Sequence, residues 1–471
     1  VLIRQTLQYL PAQLLGPLAQ LAAVVLWTHW LAPAAFGTFT LAMATQEVVY
    51  LLLLSSWSYY LLRFLPSADR RSRDRMDVIE SWLFVANVLL QALVLVLLMR
   101  QIQGHWPDRT LFGTLLAFTF TRSYCSHLAE RTRAAGAVVR YTILQTLGPV
   151  GGLLIGVLWA RVAQIGPVQV LAAYAIAQAL SLLLVLPGSG LRLRLEAWHG
   201  ATFSHALRYG LPLAASGLLA WVPGNGIRFV VEHQLGLAAV GVFSVGWTLG
   251  QRACSFAAAL VTAAAFPLVL RLEADGQHAQ ALRQLAANGA LLCGVLLPAV
   301  TGLVMLSPAL THIAISQAYV AATLTILPLA ALAGLVKNLR SHFANQAFLL
   351  AQRTGWTLAL DVIETLLFLI AVAAGLHVLG LAGAAWGALL AVSVGALLAF
   401  GLAIFRLGMP FPGRHLLRIA MATAVMAGAL AALPAPSSWL ALIGIAALGG
   451  LAYLGALALL YRKQLDALRA R

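Results

Sequence analysis

Six charged side chains fall inside stretches that are otherwise as apolar as a lipid bilayer: Arg122, Arg228, Arg252, Glu47, Asp361 and Glu364. A charge in a membrane span costs roughly 2.5–3.5 kcal/mol on the insertion scale, so six facing lipid unpaired would cost on the order of 15–20 kcal/mol. They are expected to face a hydrated interior or one another. Arg228 shares one helical face with Asn225 and Glu232. The break at Pro223-Gly224 would let a fresh half-helix start at Asn225, aiming free N–H groups and Arg228 at an anion. The plainer alternative is a proline kink with Arg228 paired to Glu232. Arg252 follows Gln251, and an internal repeat sets Glu47 opposite Gln251, so Arg252 and Glu47 are expected to meet each other or one ligand. A buried structural salt bridge is the alternative there. Arg122, among Thr119, Ser123 and Ser126, either faces a cavity or snorkels to the interface. Asp361 and Glu364 lie three apart on one span, where a buried carboxylate could take up a proton or a sodium ion; Asp361 is also near enough to the span's end to be interfacial.

The elements that must position these residues are read from composition. The chain has 471 residues, is 61% hydrophobic and only 9% charged, with a mean hydropathy of +0.89. Soluble proteins carry roughly 25% charged residues. The expectation is an all-α polytopic membrane protein with about fourteen spans of about 20 residues, from 11–30 to 439–461, the Gly- and Pro-rich tenth at 320–336 being the weakest. The net charge of +16 would suggest nucleic acid in a soluble chain. Here 24 of the 30 Lys and Arg residues fall on one side of the spans, among them Arg131, Lys337, Arg340, Arg353, Arg406, Lys463, Arg469 and Arg471. The positive-inside rule then puts both termini in the cytoplasm, and no nucleic-acid partner is needed. Trp30, Trp82, Trp106, Trp356 and Trp439 read as interfacial anchors. Cys125, Cys254 and Cys293 have no metal or disulfide spacing. No nucleophile–His–acid constellation, nucleotide loop or metal cluster is visible, and no cofactor is implied beyond coupling to H+ or Na+.

A duplication organises the chain. Leu31-Ala32-Pro33-Ala34-Ala35-Phe36-Gly37-Thr38-Phe39 matches Leu235-Gly236-Leu237-Ala238-Ala239-Val240-Gly241-Val242-Phe243 at Leu, Ala, Ala, Gly and Phe with one constant offset, each stretch forming the turn of a helical hairpin. Two homologous lobes follow: 1–190 with six spans, a cytoplasmic linker 191–208, and 209–405 with six more. Residues 406–471 add two spans and a tail. Two lobes around a polar cleft suggest a transporter.

The pattern Leu-x-Pro-x-x-Phe-Gly-x-Phe after the first span, Leu-Gly-x-x-x-Val-Gly-x-Phe-Ser after the seventh continuing to Phe266-Pro267, and Gly380-Leu381-Ala382-Gly383-Ala384-Ala385 resemble bacterial polysaccharide-repeat-unit flippases of the Wzx type. These belong to the multidrug/oligosaccharidyl-lipid/polysaccharide exporter superfamily. The resemblance implies two pseudo-symmetric six-helix lobes in a V around a central cationic cavity in the bacterial inner membrane. It also implies alternating access that moves an undecaprenyl-diphosphate-linked oligosaccharide from the cytoplasmic to the outer leaflet, for cell-surface or exopolysaccharide assembly. A diphosphate suits permanently charged arginine, giving Arg122, Arg228 and Arg252 a task. Gln46, Asn225, Gln251 and Trp247 would meet the glycan, and Glu47, Asp361 and Glu364 would couple an ion. Residues 417–461 would form a groove for the lipid tail. Membrane lipids, the polysaccharide polymerase and the export machinery are the further partners implied. Two readings in the same superfamily stay open, a cation-coupled multidrug exporter and a lipid II flippase. A membrane glycan polymerase would need larger loops than these, so the chain is not expected to be an enzyme.

Overall fold

A computed structural model describes residues 2–103, 108–192, 194 and 196–462. Trp106, Lys463, Arg469, Arg471 and part of the 191–208 linker lie outside them. The described residues are helical throughout their ordered elements, as lipid demands, because a helix satisfies its own backbone N–H and C=O groups. By packing, the chain divides into two compact units, Val1–Gly241 and Val242–Arg471.

Unit 1 contains α1 (Leu2–Trp30), α2 (Pro33–Leu53), α3 (Ser55–Phe64), α4 (Arg70–Gln103), α5 (Arg109–Ala134), α6 (Val138–Val162), α7 (Pro167–Val185), α8 (Gly200–Trp221) and the start of α9 (Ile227–Ala274). Unit 2 contains the rest of α9, then α10 (His278–Ala314), α11 (Gln317–Leu339), α12 (Asn345–Leu350), α13 (Thr354–Phe405), α14 (Gly413–Ala432) and α15 (Trp439–Leu460). The packing division falls later than the lobe division expected from the duplicated hairpin, because α8 packs on α2 and α3. Packing and duplication partition the same chain differently.

Ten helical stretches among the described residues are long and apolar enough to cross a membrane, and Gly200–Ala259 and Thr354–Phe405 each contain two arms. Those arms meet at Gly236 (φ 79°, ψ 178°) and Gly380 (φ 58°, ψ −141°), backbone that only glycine enters without strain. The turn expected over 234–243 is thus compressed to one residue, and Leu237 onward is already helix. With α2 and α3 as one pass, α8 and the first arm of α9 as another, and α11 and α12 as a third, the helices among the described residues make the expected fourteen. The tenth, despite Pro328, is an intact helix.

Helix α4 shows why the fold requires a membrane. Leu89, Leu93 and Leu97, one turn apart, are 71%, 55% and 59% exposed, while Asp77, Glu80, Asn87 and Gln91 on the opposite face are buried. In water this helix would be inside out; against hydrocarbon the apolar stripe is the correct exterior.

The duplicated hairpins meet at their matched glycines. A Cβ on Gly37 would collide with the carbonyl of Leu237, and one on Gly241 with the carbonyl of Pro33. The same offset that aligns the two sequences interchanges these contacts, so they are pseudo-symmetric equivalents. No side chain fits where two backbones cross this closely. Gly37→Ala and Gly241→Ala are each expected to destabilise the protein by about 1–3 kcal/mol through overpacking. Thermal unfolding in detergent should show the double variant losing less than the sum, since both substitutions force apart the same crossing.

Candidate functional site

In unit 1, Pro223 has no N–H to donate and its ring crowds the preceding turn. The chain answers with a π-helical turn over Val222–Gly226 and resumes α-helix at Ile227. The expected fresh half-helix at Asn225 is therefore absent: the widened turn absorbs the proline and the helix continues, so no free N-terminus points at a ligand. What the turn does is swing Asn225 towards α2. Its Nδ2 donates to Glu47 Oε2 at 2.6 Å, and its Oδ1 accepts from Arg228 Nη1 at 2.5 Å. Glu47, Asn225 and Arg228 form one chain in which an amide bridges an anion and a cation. Arg228 is 8% exposed. Glu232 makes no ion pair among the described residues.

Arg122, half-buried on α5, has no carboxylate or hydrogen-bond partner for its guanidinium among the described residues. Its neighbour Ser123 accepts from Gln46 Nε2 at 3.2 Å, which docks α2 on α5. Gln46 is buried in that contact. In unit 2, Trp247 is buried and stacked on Phe243, ring centroids 5.4 Å apart. In this conformation neither Gln46 nor Trp247 offers its surface to a ligand. Gln251 donates to the Ala330 carbonyl at 3.3 Å, fixing α9 on α11, and Arg252 beside it is half-buried.

Two ion clusters were not foreseen. Arg131, counted above as a loop charge, is 3% exposed. It pairs with Glu80, with Asp77 Oδ1 at 2.7 Å, and donates to the Gly190 carbonyl at 3.1 Å. Arg340, also counted as a loop charge, is 4% exposed and pairs with Glu364 and with Asp361 Oδ1 at 2.5 Å. Each pair of carboxylates belongs to the same tetrapeptide, Asp-Val-Ile-Glu, at 77–80 and at 361–364. A three-residue spacing puts both acids on one helical face, where a planar guanidinium can engage both. That repeat was the legible signal. Asp361 and Glu364 thus share Arg340 in this conformation.

The first cluster extends through His127. Its Nε2 lies 2.9 Å from Glu80 Oε1 and its Nδ1 2.8 Å from Ser58 Oγ. The sequence shows no nucleophile–His–acid set, yet the fold assembles Ser58, His127 and Glu80. All three are buried, Ser58 completely, so a substrate has no access to the hydroxyl, and the chain ties α3, α4 and α5 together. Among the described residues no group of three or more His, Cys, Asp or Glu is placed to hold a metal ion.

Between α10, α14 and α15 runs an apolar groove of about 570 Å³, lined by Pro298, Gly302, Leu306, Leu430, Gly449 and Leu454. The Tyr453 hydroxyl donates to the Gly294 carbonyl at 2.7 Å across its wall, which joins the last helix to α10.

Removing the arginine from a buried pair strands two carboxylates. Arg131→Ala and Arg340→Ala are each expected to cost about 3–5 kcal/mol. Arg122→Ala, with no partner to strand among the described residues, should stay within about 0.5 kcal/mol of the parent. Thermal unfolding of the three variants in one detergent checks the contrast.

A family model described as "Polysaccharide biosynthesis protein" matches residues 115–324, less than half of the chain. No curated protein matches the sequence significantly. Among solved structures, the lipid II flippase MurJ in an inward closed conformation superposes with a TM-score of 0.71 at 14% identity, covering 98% of this chain and 100% of that one. An outward-facing multidrug resistance MATE family transporter of the MOP superfamily gives 0.57 at 16% identity, over 86% of this chain and 95% of that one. A mutant of VcmN, a MATE transporter of Vibrio cholerae, gives 0.54 at 16% identity, over 86% and 97%. Identities this low speak to fold alone. The chain is a multi-pass helical membrane protein with the fold shared by these flippases and transporters, and none of these likenesses is to an enzyme.

Proposed function

We propose that the chain is a flippase for undecaprenyl-diphosphate-linked oligosaccharide repeat units, moving them from the cytoplasmic to the outer leaflet of the bacterial inner membrane by alternating access between lobes 1–190 and 209–405. The observation that carries this reading is the Glu47–Asn225–Arg228 chain in the widened turn. Arg228 donates to the neutral amide of Asn225, a bond that an incoming phosphate oxygen can replace with a stronger, charge-assisted one. Arg122, with no acidic partner among the described residues, is a second guanidinium for the diphosphate, and Arg252 is the third candidate. Glu47 is then the acid whose charge the bound diphosphate opposes, which makes it the first coupling candidate. Asp361 and Glu364 follow only where Arg340 releases them. Asn225, Gln251, Gln46 and Trp247 meet the glycan in states that expose them, and the groove of α10, α14 and α15 takes the polyprenyl tail. Cytoplasmic termini and delivery to a polymerase belong to the same reading.

The polysaccharide-biosynthesis match over 115–324 favours a glycan carrier. A lipid II flippase is the second reading, favoured by the MurJ likeness over the full chain, last helices included. Both substrates are polyprenyl diphosphates and make the same demand on the arginines. A multidrug exporter would use the acids instead.

The test is flipping of fluorescent polyprenyl-diphosphate oligosaccharide in proteoliposomes, with lipid II and an organic cation as parallel substrates. A hydrogen bond to a charged group contributes about 1.5–3 kcal/mol, so Arg228→Ala should slow flipping roughly 10- to 100-fold. Asn225→Ala and Arg122→Ala should slow it less, and Glu47→Gln should remove any dependence on a pH gradient. Normal flipping by Arg228→Ala and Arg122→Ala together would refute the diphosphate site, and preference for lipid II or for the cation would reassign the substrate.

A further inference from the structure

Unit 2 carries a second groove, distinct in its lining from the one between α10, α14 and α15. The arms of α13 fold back on one another at Gly380, with Gly375 against Gly383 and Gly387 against the Ala371 carbonyl. Arg353, just before the first arm, and Arg406, just after the second, therefore come to the same end of the hairpin. Between them lies a groove of about 650 Å³ whose walls are Trp356, Leu360 and Ile363 from one arm and Leu402 from the other. The wall residues recur every three or four positions, so the groove runs along the helix axis for about 10 Å at 1.5 Å per residue. One end is cationic and the rest is apolar.

The cationic end is not neutralised. Both arginines are exposed, and neither guanidinium has an acidic partner among the described residues. The nearest acids on the same helix, Asp361 and Glu364, are occupied by Arg340. Arg353 is already oriented, its guanidinium 4.8 Å from the Trp356 ring centroid, a contact that leaves its edge N–H groups free to donate. We infer that this groove binds an anionic glycerophospholipid, its phosphate between Arg353 and Arg406 and an acyl chain along Ile363 and Leu402. The chemistry selects the charge. A phosphate with no cation of its own gains from both arginines, whereas a zwitterionic headgroup brings an ammonium into repulsion with them. Tryptophan at the mouth is the side chain that suits a headgroup boundary, and a basic pocket between helices is the setting in which lipid phosphates are held. The ligand would be a resident of the membrane, not the cargo.

Trp356 also reports on the site. The full chain is placed in nanodiscs of phosphatidylcholine with increasing amounts of dibromo-acyl phosphatidylglycerol or dibromo-acyl phosphatidylcholine. The Trp356 component of the fluorescence is taken as the difference between the parent and Trp356→Phe. A basic residue at a membrane surface is worth about 1 kcal/mol towards an anionic lipid, or roughly fivefold per arginine. Half-quenching by the brominated phosphatidylglycerol is therefore expected at a mole fraction at least fivefold below that for brominated phosphatidylcholine. Arg353→Gln and Arg406→Gln should each erode the preference, the double substitution should abolish it, and Arg406→Lys should retain part of it. Equal quenching by both lipids, or a preference unchanged in the double variant, would overturn the assignment. So would loss of the preference in excess inorganic phosphate, which would make the site one for a free anion.

Discussion

A charge buried against hydrocarbon has no water to fall back on, and this molecule is arranged around that constraint. Helix α4 turns its leucines outward and its acids inward, and the acids are then obliged to find a base. Asp77 and Glu80 find Arg131; Asp361 and Glu364 find Arg340. In each case the carboxylates come three residues apart from one helix and the guanidinium from another, so the pairing also fixes which helices are neighbours. Desolvation makes such pairs poor sources of net stability but severe to break, which suits a tie between elements.

Arg228 sits in a different local setting. It is beside a π turn at Pro223, a local widening of a kind that often marks a functional position. Its bond to Asn225 passes on to Glu47, so a neutral group links the cation to the acid. In the function proposed above, that amide bridge is the contact an incoming phosphate oxygen replaces.

The glycines act on the backbone scale. Gly37 and Gly241 let α2 and α9 cross at backbone distance, through contacts that repeat under the offset of the duplicated sequence. Gly236 and Gly380 turn the chain within a single residue. The second of these turns brings Arg353 and Arg406 to one end of α13 and leaves two cations at the mouth of an apolar groove.

Hydropathy, the scarcity of charge and the one-sided arginines were enough to read a polytopic helical membrane protein with about fourteen passes, because lipid exposure acts on each segment locally and leaves its mark in consecutive residues. The matched hairpins were legible for the same reason, and their glycines proved to meet. The partners of the charges were not legible. Asn225 and Glu47 are 178 residues apart, and Arg131 and Arg340 look in sequence like loop charges beside the ends of spans. The twice-used Asp-Val-Ile-Glu announces two acids on a helical face but says nothing of the base they meet. Nor could sequence tell that the break at Pro223 would be a π turn and not a new helix start, since both begin with the same missing N–H and differ in what packs around it. Composition determined the solvent this chain folds in; only the tertiary structure decided which buried charges neutralise one another, because that depends on which helices become neighbours.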